Sequence, residues 1–181
     1  MGSWAGPMIA CATVFHAGDE RVHGVTDSKK LSTELREKLR WRILDACYDI
    51  GFGWVDAPEI DRLGHEATHR RVLVEAIRDL HCSPDTIYVD GNMYLPELHR
   101  FPVECVVGGD LLLWPVGAAS IMAKQEQCEW MEKVAEQRWP GYGFAQHHGY
   151  GTPYHRMALE RKGPCLAHRM SLKPLRKFVG P

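Results

Sequence analysis

Two aspartates, Asp90 and Asp110, stand where an acid-dependent chemistry would need them. In the stretch "YVDGNMYLPELHRFPVECVVGGD" (residues 88–110), one apolar run ends at Asp90 and a second ends just before Asp110. Open α/β sheets commonly build their active sites at the C-terminal ends of strands. A pair of carboxylates there offers hard oxygen donors to a divalent cation such as Mg²⁺. Such an ion activates a water and steadies a departing oxygen in phosphodiester hydrolysis. The competing reading of the Asp90-Gly91 step is an ordinary turn. Two carboxylates are also fewer than paired-metal hydrolysis normally uses, so the source of any further acids is an open question.

Two other segments have chemical potential. In "HHGYGTPYH" (147–155) glycines flank Tyr150, which lets the backbone approach something closely while the tyrosine stacks or donates its hydroxyl. The histidines of this loop match no standard zinc-ligand spacing. In "DSKK" (27–30) two lysines sit near an expected helix start, where backbone N–H groups and cations together suit a phosphate. A plain solvated helix start is the alternative.

The elements that must position these residues can be read from pattern. "MIACATVF" (8–15) is rich in β-formers and bounded by Gly6-Pro7, which predicts a strand. Leu31, Leu35, Leu39, Ile43 and Ala46 recur at helical spacing within 24–50, with Asp27 or Ser28 as the expected cap. "GFGWVDAP" (51–58) reads as a strand closed by proline, and 58–80 as a second long helix that starts at Pro58 and is weakened by Gly64. "DTIYVD" (85–90) and "VECVV" (103–107) have strand length. Residues 117–139 begin with small residues and become amphipathic, predicting a helix packed closely on a sheet. Residues 140–155 read as a loop and 155–163 as a last short helix. Mixed strands and helices imply an α/β domain with helices on a sheet.

Composition narrows the class. At 181 residues and 45% hydrophobic the chain is long enough for one globular core, with no membrane-length apolar span and no basic-apolar leader at its start. Its six cysteines include no C-x-x-C pair, which argues against a zinc ribbon or a thioredoxin-type site and suits reduced thiols in a cytoplasmic protein. The formal net charge of −1 hides an asymmetry. Residues 138–181 hold eight Lys/Arg and one acid, net +7, which leaves −8 for the rest. One surface that meets phosphates and another that holds cations would produce this division.

The order of the motifs says more than any of them singly. "GSWAGPM", "TDSKKLS", "APEIDRL", "VDGN", "GGD", "AASIMAK", "GYGFAQHHGYGT" and "AHRMSLKPLRK" run as they do in ribonuclease HII, and the chain resembles that family from Gly2 to about Arg176. The resemblance implies an RNase H-like mixed sheet flanked by helices (residues 1–137), followed by a basic, substrate-binding helical and loop extension (138–181). It implies a cytoplasmic, monomeric endonuclease dependent on Mg²⁺ or Mn²⁺. Such an enzyme cuts the RNA strand of RNA–DNA hybrids, or cuts 5′ to a ribonucleotide embedded in DNA. Carried over residue by residue, Asp90 and Asp110 are the catalytic and metal-binding carboxylates. Gly2, Ser28, Lys29, Tyr150 and Arg169 fall at nucleic-acid-binding positions, and Tyr150 matches the tyrosine that stacks on the ribose and senses its 2′-hydroxyl, the group that tells RNA from DNA.

The departures from the family pattern matter chemically. The family has two further carboxylates in an Asp-Glu-x-Gly-Arg-Gly strand. Gly2 matches the last glycine of that motif, Met1 stands at its arginine, and no acid occurs before Asp19. The expectation is that this strand, central in the family's sheet, lies upstream of Met1 in a longer gene product. Without it the chain would be impaired and its neighbouring strands would have unpaired edges. A non-catalytic nucleic-acid-binding relative is the alternative. Cys128 stands where the family is commonly acidic, His148 where it is often lysine, and Gly108-Gly109 where a lysine often precedes Gly-Asp.

Overall fold

The computed structural model describes residues 2–26, 28 and 31–178. Asp27, Lys29 and Lys30 lie outside them, and with them the Asp27 cap and the Lys29 phosphate contact. The chain forms two compact units. One comprises residues 9–54 and 70–125; the other gathers 1–8, 55–69 and 126–181. The basic 138–181 segment therefore belongs to a unit that also takes in the N-terminal residues and the 55–69 region.

In the first unit, strand β1 (Met8–Val14) pairs with β2 (Asp49–Val55), while β3 (Ile87–Asp90) pairs with β4 (Val103–Val106). Among the described residues these are two separate two-stranded sheets. β3 and β4 run parallel, with Ile87 opposite Val103 and Asp90 opposite Val106. Helix α1 (Thr33–Ala46) joins β1 to β2. Its cap is Ser32, whose hydroxyl accepts the Leu35 N–H, and not Ser28. Ser28 is instead buried, with its hydroxyl 3.0 Å from that of Ser120. The buried face of α1 is also shifted from the leucine pattern. It consists of Arg36, Leu39 and Ile43, while Leu35 is 43% exposed. Arg36 turns its guanidinium back onto the carbonyls of Leu31 (2.7 Å) and Ser28 (3.3 Å), which fastens the segment leading into the helix.

The long helix expected over 58–80 is two helices, α2 (Ala57–Leu63) and α3 (His65–Arg78). Gly64, at φ +82°, separates them, because the left-handed region that glycine reaches cheaply is incompatible with a continuing α-helix. α3 lies so close to β2 that a Cβ on Gly53 would sit 1.8 Å from the Val72 carbonyl oxygen, and one on Gly51 would sit 2.3 Å from that of Ala76. Two α3-side carboxylates then cover the strand edge: Asp79 accepts the Phe52 N–H and Glu75 accepts that of Trp54. Side chains thus satisfy donors that a bare edge strand would leave exposed. Gly53→Ala should therefore cost about 3 kcal/mol of stability, measured as a drop in the urea midpoint, since backbone cannot yield as a side chain can. A loss under about 0.5 kcal/mol would show that the helix and strand separate easily.

After β4 come the short α4 (Gly109–Leu112) and α5 (Trp114–Trp130). The latter starts three residues before the small-residue run and continues through a wide turn of π type (Met131–Ala135) into α6 (Glu136–Arg138). Ala118, Ile121 and Met122 pack with Val22, Val25, Leu39 and Ile43 in one apolar cluster. Val74, Ile87, Val89, Leu95 and Leu98 form another beneath β3.

The second unit holds α7 (Phe144–His147), within the expected loop, and α8 (Pro153–Lys162). Trp4, Ala5, Met131, Phe144, Leu159 and Leu175 are part of its core. Asp61 on α2 fastens the C-terminal segment by accepting the backbone N–H groups of Met170 (2.6 Å) and Ser171 (2.9 Å) and the Ser171 hydroxyl. No helix among the described residues is long and apolar enough to cross a membrane, and none of the six cysteines is in a disulfide.

Candidate functional site

Asp90 is the last residue of β3, and alternation along that strand buries Ile87 and Val89 while turning Tyr88 and Asp90 outward. The parallel ladder continues one step further, with the Gly91 N–H donating to the Val106 carbonyl. Gly108, at φ +73°, then turns the chain after β4 into α4, whose first turn carries Asp110. The turn folds back onto Asp90: the Gly109 N–H donates to Asp90 Oδ1 at 2.9 Å. Asp90 is thereby oriented by the residue directly before Asp110, and the two acids share one corner of the β3–β4 sheet. Close packing holds that corner from behind, where a Cβ on Gly117 would come within 2.7 Å of the Asp110 carbonyl oxygen and 2.9 Å of Val25. Gly117 is a supporting position that sequence pattern marked only as one small residue among several.

This corner is chemically suited to a hard cation. Its side-chain donors are carboxylate oxygens, with neither sulfur nor imidazole in the set, which is the preference of Mg²⁺ and similar ions. Among the described residues, no cluster of three or more His, Cys, Asp or Glu side chains is arranged to hold a metal. The pair alone therefore provides a partial coordination shell.

Ser28, in the same unit, is buried against Ser120, and its carbonyl is held by Arg36. Gly2 is exposed, in the other unit, with open space where a Cβ would project.

In that unit the loop around Tyr150 is built on close approaches. The Trp4 N–H donates to the Gly149 carbonyl at 2.7 Å. A Cβ on Gly149 would meet the Ala5 carbonyl oxygen at 2.3 Å, and one on Gly151 would enter the Trp4 ring at 2.2 Å. The glycines flanking Tyr150 thus admit the chain's own N-terminal segment, and the tyrosine between them is 38% exposed. His148, at φ +48°, turns its ring to Glu132 at 2.8 Å. A hydrogen bond with Cys128 and the adjacent Glu132 carboxylate hold its pKa above the usual histidine value, against the opposing effect of burial.

Arg169 occupies a place its position in the basic tail does not suggest. It is 7% exposed, and its guanidinium donates to the carbonyls of Gly6 (2.9 Å) and Pro7 (2.7 Å), while its N–H donates to the Trp4 carbonyl. Burial lowers its pKa to about 10, which still leaves it charged at neutral pH. It acts as a clamp on residues 4–7 and is not an exposed phosphate contact. Arg169→Met should cost about 3 kcal/mol in urea unfolding, because two buried carbonyls lose a charged donor. An unchanged midpoint would mean that water replaces the guanidinium at no cost. Nothing in the sequence near Arg169 signals this burial; its acceptors lie more than 160 residues away.

Comparison with known proteins agrees with this architecture. A sequence model of the family Ribonuclease HII matches residues 1–174. The chain is 40% identical to ribonuclease HII of Halorhodospira halophila over 99% of its own length and 90% of that protein. It is 38% identical to ribonuclease HII of Chlamydia caviae over 98% of its own length and 82% of that protein. Among solved structures, the ribonuclease H2 of Pyrococcus horikoshii OT3 superposes with a TM-score of 0.80 at 26% identity, covering 98% of this chain and 92% of that one. A PCNA:RNase HII complex from Archaeoglobus fulgidus gives 0.77 at 24% identity, covering 99% and 93%, and supports the fold. With an RNase H-like α/β fold and relatives matched along nearly all of its length, the chain belongs to the ribonuclease HII family, divalent-metal-dependent endonucleases that hydrolyse RNA in RNA–DNA hybrids.

Proposed function

We propose that Asp90 and Asp110 are the carboxylates through which this ribonuclease binds Mg²⁺ or Mn²⁺, and that its substrates include DNA duplexes carrying single embedded ribonucleotides as well as RNA–DNA hybrids. The observation that carries this reading is the Asp90–Gly109 hydrogen bond, which fixes one acid against the turn bearing the other. A divalent cation held there supplies charge neutralisation at the phosphodiester and a more acidic water. The chain's own part is to hold two carboxylates at one sheet corner, with Asp90 oriented by the Gly109 N–H.

Tyr150 is assigned to the sugar, with Gly2, Ser28 and Lys29 at the substrate backbone. Tyr150→Ala should lower cleavage at an embedded ribonucleotide by about tenfold, with affinity for all-DNA duplex changed less than about twofold, as expected for a contact made at one sugar. Equal losses in both assays would favour simple loop packing. Lys173 and Arg176 are exposed and suit non-specific phosphate contacts, whereas Arg169 supports binding from within. Reversing Lys173 and Arg176 together should flatten the slope of log affinity against log salt by about 2, at roughly 0.9 per phosphate contact. An unchanged slope would move the footprint elsewhere. The protein is assigned to the cytoplasm as a monomer, in keeping with its reduced cysteines.

A second reading, a nucleic-acid-binding relative with impaired catalysis, is favoured by the absence of a third metal donor at the two aspartates among the described residues. One experiment separates the readings. The 181-residue chain is compared with the same chain preceded by an Asp-Glu-x-Gly segment, which puts Met1 and Gly2 at the last two positions of the motif, on an embedded-ribonucleotide duplex with Mn²⁺. The extended form should cut faster by roughly a thousandfold or more, the worth of well-placed charge stabilisation. Equal rates would mean that the chain's own residues complete the metal site. Failure of both forms to cut would sustain the binding-only reading.

A further inference from the structure

Beneath Tyr150 lie three buried histidines that the chemistry described so far does not use. His155 and His168 are 0% and 1% exposed and His147 is 7% exposed, all among apolar neighbours that include Phe144. Imidazoles in such a place cost desolvation unless their nitrogens are satisfied. An apolar side chain would fill the same space without that cost, so the hydrogen bonds are where a reason for these residues is to be sought.

Those bonds fix the tautomers. His155 Nδ1 is 2.9 Å from the Tyr150 carbonyl oxygen, which can only accept, so Nδ1 carries the proton and Nε2 is bare. His155 Nε2 faces His168 Nε2 at 3.0 Å, so His168 must donate from Nε2, leaving its Nδ1 bare. The Cys165 N–H supplies that nitrogen with a proton donor at 2.9 Å. The Cys165 carbonyl also lies 3.1 Å from His168 Nδ1, but the single proton of the neutral ring is already committed to His155 from Nε2, so this carbonyl accepts only the His168 backbone N–H at 3.0 Å. The chain of bonds therefore runs in one direction, from the Cys165 N–H through His168 and His155 to the Tyr150 carbonyl. His147 stacks on His155 with centroids 4.4 Å apart, takes the Gly149 N–H at Nδ1 and donates from Nε2 to the Tyr142 carbonyl.

The end of this chain is a carbonyl between two glycines. Gly149 and Gly151 give the backbone around Tyr150 more freedom than any other residue type would. The Tyr150 carbonyl is fixed by two donors, the Thr152 N–H at 2.8 Å and the His155 ring. We propose that the His168–His155 pair is a positioning relay that sets the backbone of Tyr150, and through it the discrimination between ribose and deoxyribose. The functional consequence rests on the assignment of Tyr150 to the sugar; the direction of the relay does not.

The test compares His155→Phe, which keeps the ring and loses the donor, with His155→Asn, whose amide nitrogen replaces Nδ1–H. Affinity is measured for a duplex with one ribonucleotide and for the all-DNA duplex, so the readout does not depend on turnover. His155→Phe should lower the ratio of the two affinities by about tenfold, the worth of one well-placed hydrogen bond, with His155→Asn within about threefold of the parent. In a Tyr150→Ala background His155→Phe should cause no further loss of the ratio. Equal losses for the Phe and Asn variants, or a full additional loss in the Tyr150→Ala background, would overturn the relay. If Tyr150→Ala leaves the ratio intact, the sugar assignment fails instead. ¹⁵N chemical shifts of the imidazoles in the unsubstituted protein decide the relay even if a variant does not fold. They should show protons on Nδ1 of His155 and Nε2 of His168, and the opposite tautomers would overturn it.

Discussion

Asp90→Asn and Asp110→Asn should each reduce metal-supported cleavage by roughly a thousandfold or more, corresponding to about 4 kcal/mol of transition-state stabilisation. Asparagine has almost the shape of aspartate, and its amide oxygen can still accept the Gly109 N–H that orients Asp90. What disappears is one negative charge beside a cation and a phosphodiester, where charge balance matters most. Activity is measured in the form of the protein that cleaves fastest, with the extended chain as the reference if it is the faster. Mn²⁺ titration of the unextended chain gives a second readout. Each variant should weaken metal binding by at least about tenfold, since the donor set at this corner is small. Urea midpoints should barely move, because Asp90 is exposed and Asp110 only partly buried. Retained cleavage in either variant would mean that other residues hold the ion. A stability loss matching the activity loss would mean that the acids support the fold and not the chemistry.

The buried histidines should make the protein sensitive to mild acid. Burial lowers the pKa of His155 and of His168 to about 4, opposed by the Tyr150 and Cys165 carbonyls that would accept from the protonated rings and reinforced by the neighbouring His147. In the unfolded chain a histidine titrates near 6.5. Below that pH the unfolded chain binds protons that the folded rings refuse, so stability falls as pH falls. The contribution is complete above about pH 6.5 and lost progressively down to about pH 4. The two rings share a hydrogen bond and titrate as a unit, giving an expected loss of about 3 to 5 kcal/mol across that window. The groups facing them are His147, whose own pKa is lowered by burial, together with Tyr142 and Cys165, which burial keeps neutral over this range. Urea unfolding between pH 7 and pH 4.5 checks this against a His155→Asn, His168→Gln double variant, whose amides do not titrate. The variant should lose stability less steeply. Parallel pH dependences would place the acid sensitivity elsewhere.

The local features of the fold were legible because their causes are local. The apolar run at Met8, the turn signals around the strands at 87–90 and 103–106, and the helical start at Pro58 all depend on side chains and backbone preferences within a few residues. Gly64 was visible as a weakness, yet its actual effect, a break between two helices at φ +82°, showed only in the structure. The acids Asp90 and Asp110 stood out by their place after apolar runs; their shared corner became visible only when the parallel register set Asp90 opposite Val106 and Gly109 reached back to it. Burial of polar groups was the part that sequence did not reveal. Arg36 replaced Leu35 on the inner face of its helix because carbonyls at 28 and 31 awaited a donor. Arg169 looked like one more cation in a basic tail, while its partners were carbonyls at residues 6 and 7. The three histidines carry no recognisable motif, and their tautomers follow from which backbone groups face them in space. A charged or titratable side chain has the same intrinsic preferences wherever it occurs, so sequence by itself fixed which chemistry this protein had available, and only the long-range packing decided which of those groups became ligands, clamps or relays.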